Sequence, residues 1–496
     1  MKKFLCLIMI FIVAVSCDDF LGEDPKGQLA LDAFFKTTQD LELAEHGLYR
    51  EFYKSNEQIA VWTYFGLGSN DIGSVNEEGM AFDIFAIPAD NGSMYSAWSY
   101  SFALVKAANN VINNYEKCDA SQELKNIVGG AAYFSRAWAY FNLVRVWNKV
   151  PFYLEDGVYL DIEPTEPQVI YEQIIEDLKV AEGMCPASFA GDALRENIGI
   201  TSGIAKSLLA YVYLQMTGYP VKDASKASLS AAKAKEVIDA ESTYGYGLLE
   251  NCEDLWKWDN YMHKEIVLGR YYNRSGGGNA KAPLEQRPAG YGGGWDCYYA
   301  ELKFFNEFPE GPRKEATFET DYFINDQWVD YTALATQHPY YKKYWQSAWS
   351  PVDPETGEQQ YWKTPSNWNS SRTEQVIRHA NTLLVYAEAQ AMADGSPNSA
   401  AYNAINRVRN RAGLPDLTSG LSGPAFCDSV VKERAWEFAG EWFTGPWYDL
   451  VRYEKVEEVN ADRTNENPII NTVDKDDYFM PIPMTDVLLN PEIDWR

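Results

Sequence analysis

The sequence predicts a mostly helical protein whose helices are interrupted by one long, irregular segment rich in aromatic residues. Apolar residues recur at intervals of three and four over much of residues 29–240 and again after residue 373, which is the spacing of one helix face. Between these regions the helical spacing fades, and glycine and tryptophan become frequent. These observations predict a mostly helical chain with one irregular, aromatic-rich insert. A loop-rich segment of this length inside a compact protein is more often functional than filler.

The first residues have the pattern of a secretory signal. Met1-Lys2-Lys3 is a basic start, an uncharged apolar run follows to Val15, and Ser16-Cys17 resembles a bacterial lipobox. The apolar run is too short to span a membrane and is typical of a cleaved signal. We therefore predict a signal peptide over residues 1–16, acylation (palmitate) of Cys17 and an acidic tether over 17–28. The alternative is an ordinary cleaved signal in which Cys17 has no special role.

Six helices are predicted in the region 29–240. The first begins at Thr38-Gln39-Asp40, where capping residues precede an apolar face. The others are predicted at 97–116, 122–147, 168–182, 201–217 and 225–240, and a long loop is predicted from 65 to 91. The helix over 122–147 is apolar on most sides, so we expect neighbours to bury it all round.

The last two of these helices have the pattern of small residues that is typical of a tetratricopeptide hairpin. Small residues recur at Ala205 and Ala210 in one helix and at Ala227, Ala231 and Ala234 in the other. Small side chains let two helices approach closely, and a short turn joins this pair. No strict period of about 34 residues is evident along the rest of the chain.

The irregular segment covers residues 241–372 and holds half of the chain's sixteen tryptophans. It also contains two runs of three glycines, Gly276–Gly278 and Gly292–Gly294. Neither run is followed by the Lys-Ser/Thr of a phosphate-binding loop, so the glycines indicate bends and no nucleotide site.

Helices are predicted to resume at Thr373, where Val376, Ile377 and the apolar residues that follow form a wide stripe. Further helices are predicted at 399–411 and 426–443. In the latter, Glu433, Glu437 and Glu441 line one face, and Arg434 is placed to pair with Glu437. The end of the chain, with Pro481, Pro483 and Pro491, is predicted to be extended.

Charge and cysteine content exclude several classes of function. The net charge of −28 disfavours nucleic acid and other anionic partners and suits a neutral ligand. Beyond the signal and Cys17, the cysteines are odd in number and widely spaced, so a disulfide framework and a zinc site are both disfavoured. We expect these residues to be small and buried: Cys118, Cys185, Cys252, Cys297 and Cys427.

Five stretches carry a more specific pattern: Cys17-Asp18-Asp19-Phe20-Leu21; Arg136 to Arg145 with Val150-Pro151; Val376 to Ala389 with Ala404 to Arg409; Glu433 to Glu441 with Trp447 to Arg452; and Pro481-Ile482-Pro483 with Asn490-Pro491. Together, in this order, they resemble the SusD/RagB family, the surface lipoproteins of glycan-uptake systems in Bacteroidota. His379, Asn381 and Pro446 depart from residues common in that family.

The resemblance implies an all-α, tetratricopeptide-like (SusD-like) scaffold with a loop-rich ligand-binding subdomain. The scaffold is then formed by residues 29–240 and completed by 373–496, and residues 241–372 carry the ligand site. The resemblance also implies localisation at the outer membrane, exposed on the cell surface, and a partner, a SusC-like TonB-dependent transporter that the lipoprotein caps. It implies no cofactor.

Sugars have apolar C–H faces and hydroxyl rims, so a glycan site needs flat aromatic rings beside amide or carboxylate groups. The aromatic candidates are Tyr291, Trp295, Tyr298, Tyr299, Trp345, Trp349, Trp362 and Trp368, and Asn70 and Asp71 are candidates for the rim. The alternative for each aromatic residue is a place in the core of the subdomain, where most large aromatic side chains are found.

Other polar residues are assigned structural roles. Glu433, Glu437 and Asp449 invite a catalytic interpretation, but an ion-paired helix face is favoured. His46, His263, His338 and His379 have no ligand spacing, and the acidic turn from Asp353 to Glu358 matches no EF-hand. We therefore predict neither a metal site nor catalytic residues.

Three functions remain open. The first is a non-catalytic lipoprotein that captures an oligosaccharide and delivers it to its transporter. The second is the same binding role with a peptide as the ligand, as in RagB-like members. The third is a secreted helical glycoside hydrolase, which needs two carboxylates about 5–10 Å apart beside the ligand.

Overall fold

The computed structural model describes residues 34–55, 73–75, 80–155, 157, 161–257, 260–271, 288, 296–324, 327–343, 373–441, 443–461 and 473–490. The α-helices in these ranges are α1 Thr38–Ser55, α2 Met80–Asp83, α3 Gly92–Ile112, α4 Gln122–Trp147, α5 Pro167–Met184, α6 Ser202–Met216, α7 Lys226–Asp239, α8 Glu241–Tyr244, α9 Leu302–Glu307, α10 Pro312–Thr317, α11 His379–Asp394, α12 Ser399–Arg411, α13 Gly423–Glu437, α14 Pro446–Arg452, α15 Val456–Ala461 and α16 Met484–Leu489. Short 3₁₀ turns lie at Tyr115–Lys117, Glu253–Trp256, Tyr331–Ala333 and Lys475–Tyr478.

The strands of the described ranges are short and form two-stranded antiparallel pairs. They are β1 Gly73–Val75, β2 Val150–Pro151, β3 Pro164–Thr165, β4 Ile266–Arg270, β5 Tyr298–Ala300, β6 Phe318–Glu319, β7 Asp321–Ile324, β8 Gln327–Asp330, β9 Tyr340–Tyr341 and β10 Glu374–Arg378. The pairs are β1–β5, β2–β3, β4–β10, β6–β9 and β7–β8. Helices dominate, and the predicted all-α scaffold is confirmed.

The long helices form an array in which each packs against its neighbours in sequence. Helix α3 packs on α4, α4 on α5, α5 on α6 and α6 on α7. The next neighbour of α7 is α11, which also contacts α12 and α13, so helices after residue 378 continue the array begun by the first half of the chain.

The α6–α7 pair has the close contact predicted from its small residues. Ala205, Ala210 and Ala234 are fully buried, and the Ser230 hydroxyl donates to the Ala210 carbonyl at 2.8 Å. A hydrogen bond from side chain to backbone between two helices requires that they lie close together. The predicted cap is also present, since the Thr201 hydroxyl accepts from the Ile204 amide at 3.3 Å.

Helix α4 lies at the centre of the core, and its predicted bounds match the observed ones. Trp138 is fully buried and stacks on Phe443, with ring centroids 4.6 Å apart and planes 16° apart. The charge of Arg136 is neutralised inside the protein by Asp177, whose two carboxylate oxygens each accept at 2.7 Å. The helix is therefore surrounded on all sides, as its sequence predicted.

Two predicted helix boundaries after residue 372 are wrong. Val376 and Ile377 belong to β10, which pairs with β4, and the helix begins only at His379. Helix α13 ends at Glu437, so Glu441 does not share a helix face with Glu433. The chain turns away at Gly440, where φ is +80° and a Cβ atom would lie 2.8 Å from the Tyr341 ring.

Two segments predicted to be irregular or extended contain short helices. The loop predicted over 65–91 includes β1 and α2, and the chain end includes the 3₁₀ turn at Lys475–Tyr478 and helix α16. Such short elements lack the length at which apolar spacing identifies a helix.

Candidate functional site

Two of the predicted ligand-binding residues, Tyr298 and Tyr299, lie in the described part of the chain. Both belong to β5 and are 2% exposed. The Tyr298 ring packs near Tyr341, with centroids 6.3 Å apart, and the Tyr299 ring packs near His338 at 4.7 Å. These contacts place both rings inside the subdomain, which is the alternative that the sequence left open, and a binding role for them stays a prediction.

The other predicted site residues lie outside the described residues. They are Asn70, Asp71, Tyr291, Trp295, Trp345, Trp349, Trp362 and Trp368, together with the proposed lipidation site Cys17.

Strands β5 and β9 lie next to two of the segments that contain these predicted site residues: β5 follows the segment with Tyr291 and Trp295, and β9 precedes the segment with Trp345. Strand β5 pairs with β1 on one side, and on the other its Ala300 amide donates to the Pro339 carbonyl at 2.9 Å, just before β9. The ring contacts Tyr298–Tyr341 and Tyr299–Tyr340 fix an antiparallel arrangement. The residues just before Tyr298 and those just after Tyr341 are therefore at the same end of this strand group.

A buried cluster of charged residues, here called the ionic base, includes Lys343, which lies two residues after β9. Its centre is Arg378 at the end of β10, which is 1% exposed. The guanidinium donates to both carboxylate oxygens of Glu441, at 2.9 and 2.8 Å. It also reaches Glu265 at 2.8 Å and Glu437 at 2.7 Å. Bidentate contacts of this kind fix both position and orientation.

Three further cations complete the ionic base from other parts of the chain. Arg411 donates to Glu265 at 3.0 Å and to Glu437 at 2.5 Å. Arg313 donates to Glu433 at 2.6 Å and to Glu437 at 3.2 Å. The Lys343 ammonium donates to Glu441 at 2.8 Å and to the Glu437 carbonyl at 3.0 Å.

The net effect of burial and of the charged neighbours in the ionic base is to lower the pKa values of two of its members, Glu437 and Lys343. Burial alone would raise the pKa of the Glu437 carboxyl, but Arg411, Arg378 and Arg313 together hold it well below its usual range. Burial lowers the pKa of the Lys343 ammonium, although Glu441 and Glu437 oppose that shift. The Glu437 carboxylate is therefore ionised near neutral pH.

Two buried ion-pair groups hold the ends of the 344–372 stretch: the ionic base on one side and the Arg270–Glu374 pair on the other. Lys343 directly precedes it, and Glu374, which follows it, receives a hydrogen bond from Arg270 at 2.9 Å. Arg270 closes β4, two residues before the stretch that begins at 272. The sequence did not identify these supports, because their partners lie 26 to 146 residues apart in the chain.

The carboxylates that invited a catalytic interpretation are part of buried ion pairs. Glu433, which is 0% exposed, is bound by Arg313 and by Arg409, the latter at 2.9 Å. Asp449 accepts from Arg434 and Arg452, both at 2.8 Å. The predicted pairing of Arg434 with Glu437 is wrong, since Arg434 instead contacts Asp449 and Glu388. Carboxylates enclosed in this way are not arranged to flank a ligand.

The histidines and cysteines of the described ranges show structural environments. Burial lowers the pKa of His263 to about 4. His338 contacts the Thr336 carbonyl at 2.5 Å and His379 contacts Glu241 at 2.6 Å, while His46 is exposed. The five cysteines expected to be buried are buried thiols. Within these ranges, no group of three His, Cys, Asp or Glu is placed to hold a metal, and no helix is long and apolar enough to cross a bilayer.

Two cavities open among the described residues, and the sequence predicted neither. One, of about 360 Å³, lies between the α5–α6 connection and β4 and is lined by Phe189, Tyr244 and Tyr246 among others. The second, of about 720 Å³, lies where the end of α4 meets the 475–482 segment.

Two family models match the chain and together cover most of it. The model described as "SusD family" matches residues 255–494, and the one described as "Starch-binding associating with outer membrane" matches residues 22–214. Among curated proteins, a SusD-like protein of Formosa agariphila is 27% identical over 99% of both chains. A SusD-like protein of Bacteroides ovatus is also 27% identical, over 91% of this chain and 82% of that protein.

Solved structures share the fold. A SusD homologue from Bacteroides thetaiotaomicron matches with a TM-score of 0.77 and 21% identity, covering 94% of this chain and 97% of its own. A chain solved with a xylogluco-oligosaccharide matches with a TM-score of 0.73 and 24% identity, over 91% and 97% of the two chains. A laminarin-binding SusD-like protein matches with a TM-score of 0.72 and 22% identity, over 92% and 98%. The order of motifs, the helical array and these matches show that the chain belongs to the SusD/RagB family.

Proposed function

We propose that this protein is a non-catalytic lipoprotein of the cell surface that binds an oligosaccharide and delivers it to a SusC-like transporter. Family membership supports a binding role, and the relatives that bind laminarin and a xylogluco-oligosaccharide share the fold over most of the chain. The net charge of −28 suits a neutral ligand, because anionic ligands would be repelled.

The observation that carries the proposal is the ionic base. Lys343 of the ionic base and the neighbouring Arg270–Glu374 pair fix the ends of a 29-residue stretch, 344–372, that contains Trp345, Trp349, Trp362 and Trp368. Binding residues are most effective when a rigid scaffold holds them in place, since less conformational freedom is then lost on binding. We propose that these tryptophans, with Tyr291, Trp295 and the rim residues Asn70 and Asp71, form the glycan site.

Single replacements of the proposed aromatic platforms should locate this site. We expect Trp295→Ala and Trp345→Ala each to weaken binding of the recognised glycan about thirtyfold, equivalent to about 2 kcal/mol, because each removes a large rigid contact surface. Calorimetric titration against a panel of neutral glycans measures the change. Trp328→Ala is the matched control: Trp328 is 54% exposed on the β7–β8 hairpin, outside the proposed cluster, and its loss should leave affinity within about twofold. Unchanged affinity in both platform variants would place the site elsewhere.

The same titrations separate the alternatives. Binding of peptides with no binding of glycans would favour the RagB-like role. Release of new reducing ends from any glycan in the panel would favour the hydrolase, and Glu433→Gln and Asp449→Asn would then be tested first. The burial and ion pairing of those two carboxylates support the non-catalytic role.

We propose that the acyl group on Cys17 holds the protein at the outer membrane with its ligand site outside the cell. Each buried CH₂ of an acyl chain contributes about 0.8 kcal/mol, so several chains hold a protein firmly. We expect Cys17→Ser to abolish incorporation of labelled palmitate and to release the protein from the membrane fraction. Persistent membrane attachment of the Cys17→Ser variant would contradict the anchor. Cys118→Ser, at a buried thiol, is the control that should keep the label.

The transporter partner is tested by co-purification. Tagged protein isolated from outer membranes in mild detergent should bring down one large TonB-dependent barrel in comparable amount, and nucleic acid should be absent. Isolation of the protein alone after chemical cross-linking in intact cells would contradict the partnership.

A further inference from the structure

The 720 Å³ cavity lies on the scaffold, away from the 344–372 stretch in sequence, and we name it the α4-end cavity. Its wall includes Trp147, Asn148, Lys149, Tyr219, Asp477 and Phe479. Its volume is within the range of about 300–1,000 Å³ that is typical of small-ligand sites. The lining residues come from five separate parts of the chain, so the cavity exists only in the folded protein.

Hydrogen bonds fix the shape of this cavity. The Met480 amide donates to the Val146 carbonyl at 2.7 Å, and the Trp147 indole donates to the Pro481 carbonyl at 3.1 Å. These two bonds tie the 480–482 segment to the last turn of α4. The cavity is therefore a preformed feature of the fold.

Among the residues that line this cavity, Asn148 has a buried side-chain oxygen without a hydrogen-bond partner. Its backbone has φ +65° and ψ −80°, a conformation that residues with a side chain rarely adopt. Its Oδ1 atom is buried and has no hydrogen-bond partner among the described residues. A buried acceptor without a partner destabilises the folded state, so a small opening of the wall that let a ligand hydroxyl reach this oxygen would relieve that cost.

The rest of the wall suits an uncharged ligand. The Tyr219 and Phe479 rings stack with centroids 6.1 Å apart and planes 30° apart. Lys149 is neutralised by Glu166 at 2.5 Å, and Lys475 is paired with Glu454. With both cations engaged, the acidic groups Glu163, Asp476 and Asp477 remain on the wall, and they disfavour an anion.

We propose that the α4-end cavity is a second saccharide site that takes a short neutral unit. The Asn148 Oδ1 atom accepts a hydrogen bond from a sugar hydroxyl, Asp477 accepts another at the rim, and the Phe479 ring packs against a C–H face. The choice of a saccharide as ligand rests on the proposed function, whereas the cavity and its unsatisfied acceptor do not.

Hydrogen exchange of the full-length mature protein tests this site. The probes are four neutral disaccharides: maltose, cellobiose, laminaribiose and xylobiose. We expect at least one of them to slow exchange of the backbone amides in residues 475–482. Asn148→Gly should remove that protection, because glycine keeps the positive φ while the acceptor is lost. Asn197→Gly is the matched control, since Asn197 also has a positive φ, +70°, but does not line this cavity.

Two variants, Phe479→Ala and Asn148→Gly, distinguish binding in this cavity from binding at the tryptophan site. Phe479→Ala should weaken disaccharide binding about tenfold, and binding of a longer glycan at the tryptophan site should change less than twofold in both variants. Protection confined to 344–372 would overturn the second site and leave the proposed function standing. Protection confined to 475–482 would leave the second site standing and would overturn the proposed function. No protection by any of the four disaccharides, or protection that persists in both Asn148→Gly and Phe479→Ala, would overturn the proposal.

Discussion

Replacing Arg378 by methionine is expected to lower the free energy of unfolding by about 3–5 kcal/mol, because the change leaves buried carboxylates without their central cation. Arg378 contacts Glu265, Glu437 and Glu441, and all three side chains are buried. Methionine fills much of the arginine volume, so the loss reports on charge and hydrogen bonding more than on an empty space. Urea unfolding of variant and parent at pH 7 measures the difference.

The effect should depend on pH in a defined direction. Since the cations hold the pKa of Glu437 below its ordinary value of 4.5, the stability gained from pairing is fully present above that value. It is lost as the pH falls through the lower pKa of the folded protein. The gap between parent and Arg378→Met should therefore narrow below about pH 4.5.

The control for this prediction is Arg50→Met, at an ion pair with Glu51 in which the arginine side chain is 77% exposed. Exposed pairs contribute little, so we expect a change within about 0.5 kcal/mol. The glycan affinity of Arg378→Met should also fall, because Glu441, which binds Lys343 at the start of the 344–372 stretch, loses its contact with Arg378. Equal stability of Arg378→Met and the parent would show that the remaining cations satisfy the cluster without it.

The sequence predicted those parts of the fold whose cause is local. Helix α4 and helix α12 have the predicted bounds, because capping residues and continuous apolar spacing lie within each helix. Asn398, for example, accepts from the Ala401 amide at 2.9 Å and begins α12 at the predicted residue. Where both the start signal and the periodicity are contained in one segment, no distant residue is needed.

The sequence failed where a distant partner decides the structure. Val376 and Ile377 have helical spacing with the residues that follow, yet they form a strand because β4, more than 100 residues earlier, pairs with them. Likewise, Glu433 and Glu437 were predicted on an ion-paired face, but Arg313 and Arg378 supply the cations from other elements. A single sequence does not show which distant segments meet.

For the candidate site, too, the sequence predicted what depends on local residues and missed what depends on distant ones. Composition and resemblance directed attention to residues 241–372, but aromatic content does not distinguish a binding platform from a core residue. Tyr298 and Tyr299 sit beside a glycine-rich bend in sequence, and strand pairing on both sides encloses them. The unsatisfied acceptor of Asn148 was not predictable, because its significance depends on the 475–482 segment, which lies over 300 residues away.

The second large effect is expected for Gly218→Ala, which should destabilise the protein by about 3 kcal/mol. Gly218 follows α6, and a Cβ atom there would lie 2.3 Å from the Arg452 carbonyl oxygen and 2.2 Å from the Arg452 Cγ. Because one of these atoms is backbone, rotation of a side chain does not relieve the overlap. The Tyr219 amide also donates to the Arg452 carbonyl at 3.0 Å, so α14 is held against this point.

The overlap matters because Arg452 is part of a second buried ionic cluster. Arg452 donates to Glu388 at 2.7 Å and to Asp449 at 2.8 Å, and Arg434 contacts the same two carboxylates. Moving Arg452 by even a few tenths of an ångström would weaken these bonds as well as the local packing.

Gly47→Ala is the matched control and should have the opposite sign. Gly47 lies inside α1, and a Cβ atom added there would meet no other atom within 4 Å. Alanine therefore removes only the conformational cost of a helical glycine and should stabilise the protein by about 0.5–1 kcal/mol. Thermal unfolding of both variants measures the pair. Equal stability of Gly218→Ala and Gly47→Ala would contradict this prediction. It would mean that the contact between α6 and α14 relaxes freely. The second ionic cluster would then not connect the two halves of the helical array rigidly.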